Sequence, residues 1–119
     1  MATQGIVSVL RFGHMYLKVV AGCDGMKAKD VAECFANKEP TNGGDAYARA
    51  LDLGMGCEDC LVVQEFAPDG SVSNFPYSDS ERYRDSDVFR DPYSNPRSAS
   101  CGAAYTYVVQ QNKVLGGHQ

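Results

Sequence analysis

Gly5-Ile6-Val7-Ser8-Val9-Leu10-Arg11-Phe12-Gly13-His14-Met15-Tyr16-Leu17-Lys18-Val19-Val20 is the stretch on which the fold turns. Ile6, Val7, Val9, Leu10 and Phe12 are β-formers, and Met15 to Val20 make a second β-rich run beyond Gly13-His14. Two such runs separated by a Gly-X pair read as a hairpin, because glycine supplies the positive φ that a tight primed turn needs. An all-helical fold is excluded by this segment alone.

Downstream, Ala21-Gly22-Cys23-Asp24-Gly25 breaks the β pattern, and Val31, Ala32 and Phe35 then recur at helical spacing, which predicts a helix over 28–37. Pro40 ends that helix. Asn42-Gly43-Gly44 leads to Asp45, read as the N-cap of a second helix near 45–53 with Tyr47, Ala50 and Leu51 on one face and Gly54 as its stop. Leu61–Phe66 reads as a strand, Pro68-Asp69-Gly70 as a turn and 71–75 as a returning strand. A strand over 103–110 follows a long polar excursion, Gln111-Asn112 turns it towards Lys113-Val114-Leu115, and Gly116 to Gln119 read as a frayed end. The expected fold is α+β, one domain over residues 1–119. It is an antiparallel sheet of about five or six strands, with two helices inserted between its hairpins and packed on one face.

The 119 residues are 44% hydrophobic and 22% charged, the composition of an ordinary folded domain rather than of a disordered chain or a coiled coil. Eleven Lys and Arg against fifteen Asp and Glu leave a net charge of −4, so the basic footprint needed for duplex nucleic acid is missing and an anionic ligand must meet a local basic pocket. No apolar run is long enough for a membrane span, and the start of the chain lacks the basic and apolar stretches of a secretion signal. A cytoplasmic protein, staying in the cytosol where it is made, is expected. In that compartment five cysteines, an odd number, read mostly as reduced thiols rather than as a disulfide framework.

Cys57-Glu58-Asp59-Cys60 has the spacing of a zinc or redox pair. A structural zinc needs four ligands, however, and no second CxxC or suitably spaced histidine accompanies it, so no metal and no cofactor is expected. Gly54-Met55-Gly56 and Gly22-Cys23-Asp24-Gly25 match no phosphate-binding fingerprint, and turn geometry accounts for both. Glu58-Asp59 and the Asp85/Asp87 pair read as solvated charge, and no catalytic residue is assigned.

The excursion from Pro76 to Ser100 is more informative. Four of six arginines, Arg82, Arg84, Arg90 and Arg97, fall between residues 82 and 97, interleaved with Tyr83, Phe89 and Tyr93. Guanidinium forks match phosphate oxygens, and flat rings offer a π-face to a nucleobase. An alternative is a near-neutral solvated loop in which these arginines pair with Asp79, Glu81, Asp85, Asp87 and Asp91.

Gly5-Ile6-Val7-Ser8-Val9, Lys18-Val19-Val20-Ala21-Gly22-Cys23-Asp24-Gly25, Leu53-Gly54-Met55-Gly56-Cys57, Asn95-Pro96-Arg97 and Tyr105-Thr106-Tyr107-Val108-Val109 follow one another in an order that resembles the phage anti-defence sponge family, which counters Thoeris immunity by sequestering its cyclic ADP-ribose signal. The resemblance covers most of the chain through short motifs. It implies a non-enzymatic α+β protein that forms a homo-oligomer and holds a cyclic nucleotide between protomers without cleaving it; some members also hold cyclic oligonucleotides. It transfers a ligand-binding role to Asn95 and Arg97, while Arg84, Arg90, Phe89 and Tyr93 are candidates from their chemistry. The chain has no tryptophan, so a stacking platform must be Phe or Tyr. Two other classes remain open to the sequence: a small cysteine-dependent hydrolase, sketched as Cys23 beside a histidine, and a protein-binding module using the 76–100 loop.

Overall fold

The computed structural model describes residues 3–58, 60–75 and 103–118. In chain order these form β1 (Gly5–Arg11), β2 (His14–Ala21), α1 (Ala28–Asn37), α2 (Gly43–Asp52), β3 (Leu61–Phe66), β4 (Val72–Phe75), β5 (Tyr105–Gln110) and β6 (Lys113–His118). The six strands make one sheet in the order β4-β3-β2-β1-β5-β6.

The hairpin of the opening segment is present, with its turn one residue earlier than the Gly13-His14 pair. Phe12 (φ 53°) and Gly13 (φ 80°) both take positive φ, the requirement of a type I′ connection, and Arg11 then pairs with His14. Gln111 (φ 53°) and Asn112 (φ 63°) do the same between β5 and β6.

The sheet is mixed rather than antiparallel. β1 pairs antiparallel with β2 but parallel with β5, in register Gly5↔Tyr105 through Leu10↔Gln110. Parallel neighbours cannot be joined by a tight turn and need a long crossover. Here all the chain from β2 to β4 intervenes, so no local turn dictates the direction of β5. The glycine-rich end is also ordered into β6: Thr106 pairs with Gly117 and Tyr105 with His118. Gly116 makes this feasible, since its φ is +93° and a Cβ there would sit 2.6 Å from the Thr106 carbonyl oxygen.

Asn42, not Asp45, caps α2: its Oδ1 accepts from the Asp45 main-chain N–H at 2.9 Å. Asp45 sits at the third helical position and reaches back, its Oδ2 accepting from Thr41 N–H at 3.0 Å. One orphan donor of the helix, Asp45 N–H, and the Thr41 N–H just before the cap are thereby each satisfied by a side chain. At the other end Met55 N–H donates to Ala50 O and Gly54 N–H to Leu51 O, with Gly54 at φ +87°, a Schellman stop that seats the fully buried Met55.

Strand periodicity sorts the core. Val7, Val9, Leu17, Val19, Leu61, Val63, Tyr107 and Val109 share one cluster with Val31, Ala32 and Phe35 of α1 and Ala46 and Ala50 of α2. Neighbouring strand positions of opposite parity hold Ile6 and Val20, clustered with Ala103, together with the buried polar side chains Ser8, Lys18, Gln64 and Thr106. A close crossing fixes the segment between β2 and α1 against the start of β1: a Cβ on Gly25 would lie 2.3 Å from the Gln4 carbonyl carbon. Gly25 therefore serves a close main-chain crossing rather than the turn geometry expected of it, whereas Gly54 and Gly56 do take the positive φ of turn glycines. No helix among the described residues is long and apolar enough to cross a membrane.

Candidate functional site

At the end of the sheet that carries the β1–β2 turn and the β3–β4 turn, a groove of about 650 Å³ is lined by Arg11, His14, Met15, Tyr16, Phe66 and the Ala67–Gly70 loop. The β1–β2 register shifts between Val9 and Leu10, beside it. Val9 opposes Leu17 and Leu10 opposes Met15, so Tyr16 is the extra residue of a β-bulge, and bulges re-aim side chains. The Tyr16 hydroxyl donates to the Thr41 carbonyl oxygen at 2.7 Å, and the Arg11 guanidinium carbon lies 3.6 Å from the ring centroid. Arg11 Nε also contacts Glu39 Oε1. Burial raises the Tyr16 phenol above its ordinary pKa, opposed by the positive charge of Arg11. At the loop edge, hydrogen bonds from Ser71 hold the Asp69 carboxyl below the usual carboxylate range.

The volume falls within the span of small-molecule sites. A guanidinium over an aromatic face, beside an imidazole and a second ring at Phe66, is chemistry suited to phosphate and base. A second recess of about 260 Å³ at Asn42–Gly44 and Ser73–Phe75 is different, because the α2 N-terminus there is already occupied by the protein's own carboxylate. Glu65 Oε1 accepts from Gly43 N–H at 2.8 Å.

The cysteines depart from the reading as reduced thiols. Cys23 and Cys60 are joined as a disulfide, and Cys57 Sγ lies 3.0 Å from Cys60 Sγ and 3.8 Å from Cys23 Sγ. Cys34 stands apart on α1, where its sulfur accepts from Arg49 Nη2. Cys23 follows the C-terminal end of β2, whereas His14 opens that strand at the groove, so the Cys23–histidine sketch of a hydrolase does not form with His14.

Asn95, Arg97, Arg84, Arg90, Phe89 and Tyr93 all lie outside the described residues. The Arg11–Tyr16 pair went unread in the sequence. Its signal was present in the hairpin, since the two residues flank the turn, but only the bulge brings them together. Compared with family models, curated proteins and solved structures, the chain finds no match.

Proposed function

We propose that this protein binds a cyclic nucleotide signal of the cyclic ADP-ribose type and withholds it without cleaving it. The observation that carries this reading is the groove itself, with Arg11 laid on the Tyr16 ring, His14 alongside and Phe66 opposite. Support for storage over turnover comes from placement: the clustered cysteines lie at the far end of β2 and β3 from the groove. In this reading both helices cover one face of the sheet, and the arginine-rich 76–100 segment adds Arg97 and Asn95 to phosphate and ribose, with Arg84, Arg90, Phe89 and Tyr93 as further contacts.

The protein acts as a homo-oligomer in the cytoplasm, ligand lying between copies. Among the described residues β4 and β6 are the outermost strands of the sheet, positions at which a further strand can add, and β6 displays an exposed Leu115. Calorimetry with cyclic ADP-ribose isomers tests the reading: micromolar or tighter binding supports it, and absence of any binding to the whole panel refutes it.

A further inference from the structure

The Sγ atoms of Cys23, Cys57 and Cys60 lie within 4.8 Å of one another. We propose that in the reduced protein these three thiolates form a binding site for a soft divalent cation, zinc under cellular conditions. The site lies at the opposite end of the sheet from the groove and does not depend on the nucleotide reading. Thiolate sulfur selects zinc over hard cations such as magnesium or calcium. Sulfurs bound tetrahedrally at about 2.3 Å from one zinc stand about 3.8 Å apart. Cys23 and Cys57 already have that spacing, Cys57 and Cys60, at 3.0 Å, need to separate by less than an ångström, and Cys23 and Cys60, bonded in the disulfide, part furthest once it is reduced.

The backbone holds the three donors in place from two separate segments. Gly22 N–H donates to Cys60 O at 2.8 Å, which extends the β2–β3 ladder past Ala21↔Leu61 and fixes Cys23 beside Cys60. Cys60 N–H donates to Cys57 O at 3.0 Å, closing the CxxC turn. Gly56, at φ +76°, lets that turn press against the strand ends; a Cβ there would meet those of Ala21 and Leu61 at 3.3 Å. Cys57 N–H points at Cys60 Sγ at 3.2 Å, the kind of outer hydrogen bond that stabilises a metal-bound thiolate. Cys57 is exposed, so an ion can enter, and three thiolates leave a fourth coordination position for water or another ligand.

The disulfide is the oxidised form of the same cluster and employs only two of its three sulfurs. Two electrons and two protons from a cellular dithiol, itself oxidised to a disulfide, convert Cys23–S–S–Cys60 to two thiols. Cation binding then displaces one proton from each of the three sulfurs as the metal–sulfur bonds form.

Full-length protein purified in a phosphine reductant and titrated with Co²⁺ and then Zn²⁺ tests the proposal. One Co²⁺ per chain is expected, with sulfur-to-cobalt charge-transfer absorption in the near ultraviolet that Zn²⁺ abolishes. In the zinc-loaded chain, peptide mapping after alkylation should find Cys23, Cys57 and Cys60 protected and Cys34 reactive. Cys57→Ser should weaken Zn²⁺ binding at least tenfold, while Cys34→Ser leaves it unchanged. A reduced wild-type chain that takes up no Co²⁺, or takes it up without the charge-transfer band, overturns the proposal. So does a loaded chain in which the three cysteines alkylate as fast as in the metal-free form, a readout that stands even if Cys57→Ser fails to fold. Undiminished Zn²⁺ affinity of a folded Cys57→Ser variant overturns it as well.

Discussion

Arg49→Met removes the fastening between the two helices while keeping the bulk of the side chain. Arg49 Nη2 donates to Lys38 O at 2.7 Å and to Cys34 O at 3.1 Å, both at the C-terminal end of α1, where the macrodipole is negative. Its guanidinium carbon lies 5.1 Å from the Phe35 ring centroid, and Nη1 contacts Asp45 Oδ2 at 3.3 Å. A hydrogen bond from a charged donor contributes about 1.5–3 kcal/mol when desolvated. The side chain is 21% exposed, which favours the low end. Cys34 O keeps its bond from Lys38 N–H, and Lys38 O regains water, so the two carbonyl contacts together are worth about 2 kcal/mol. The ion pair with the more exposed Asp45 adds only a few tenths of a kcal/mol, about the level of a screened helix-surface pair. A loss of about 2 kcal/mol corresponds to a drop in Tm of about 6–10 °C for a domain of this size. Urea unfolding followed by circular dichroism measures it, with Arg49→Lys expected to fall between Met and wild type. A Met variant within about 0.5 kcal/mol of wild type, the scatter of ordinary surface substitutions, would show that Arg49 does not hold the helices together.

Gly25→Ala should cost more than about 2 kcal/mol, because the added methyl collides with main-chain rather than side-chain atoms at Gln4 and Gly5; unfolding at wild-type denaturant concentration would contradict this crossing. The raised phenol of Tyr16 makes a contribution to stability that is constant with pH up to the ordinary tyrosine range near 10 and is lost as pH rises through the higher folded value, because the native state retains the proton longer than the unfolded one. Tyr16→Phe should lose that alkaline decline relative to wild type, together with the hydrogen bond to Thr41, as read from unfolding midpoints between about pH 8 and 11. Arg97→Ala should weaken nucleotide binding by about tenfold to a hundredfold, the effect of one charge-assisted contact, whereas the exposed Lys113→Ala changes little unless β6 borders the pocket; equal affinities of Arg97→Ala and wild type in calorimetry would remove Arg97 from the site.

Much of the fold was legible because its determinants are local. The β1–β2 hairpin follows from alternation on either side of a glycine, α1 from the spacing of Val31 and Phe35, and the end of α2 from Gly54. The cap of α2 was misplaced because Asn42 and Asp45 are both good capping residues, and only the backbone shows which one accepts from the other. The direction of β5 was illegible for a different reason. Its partner β1 lies a hundred residues away at Gly5↔Tyr105, and an isolated strand pattern reads alike in either direction. Cys23 met Cys60 across 37 residues for the same cause: spacing within the CxxC was visible, but the third sulfur arrives by strand pairing. At the groove, one extra residue in β2 redirects Tyr16 towards Arg11, and a bulge leaves no compositional trace.

Recovery of intact ligand tests the central claim most directly. The purified wild-type protein is saturated with cyclic ADP-ribose isomers, freed of unbound nucleotide, held at working temperature for hours and then heat-denatured, and the released nucleotide is weighed by mass spectrometry. The account predicts that the bound cyclic nucleotide returns unaltered and in amounts set by the number of sites, with little recovered from Arg97→Ala. Linear ADP-ribose or other hydrolysed product in the released fraction, or no nucleotide retained by wild type, would contradict it.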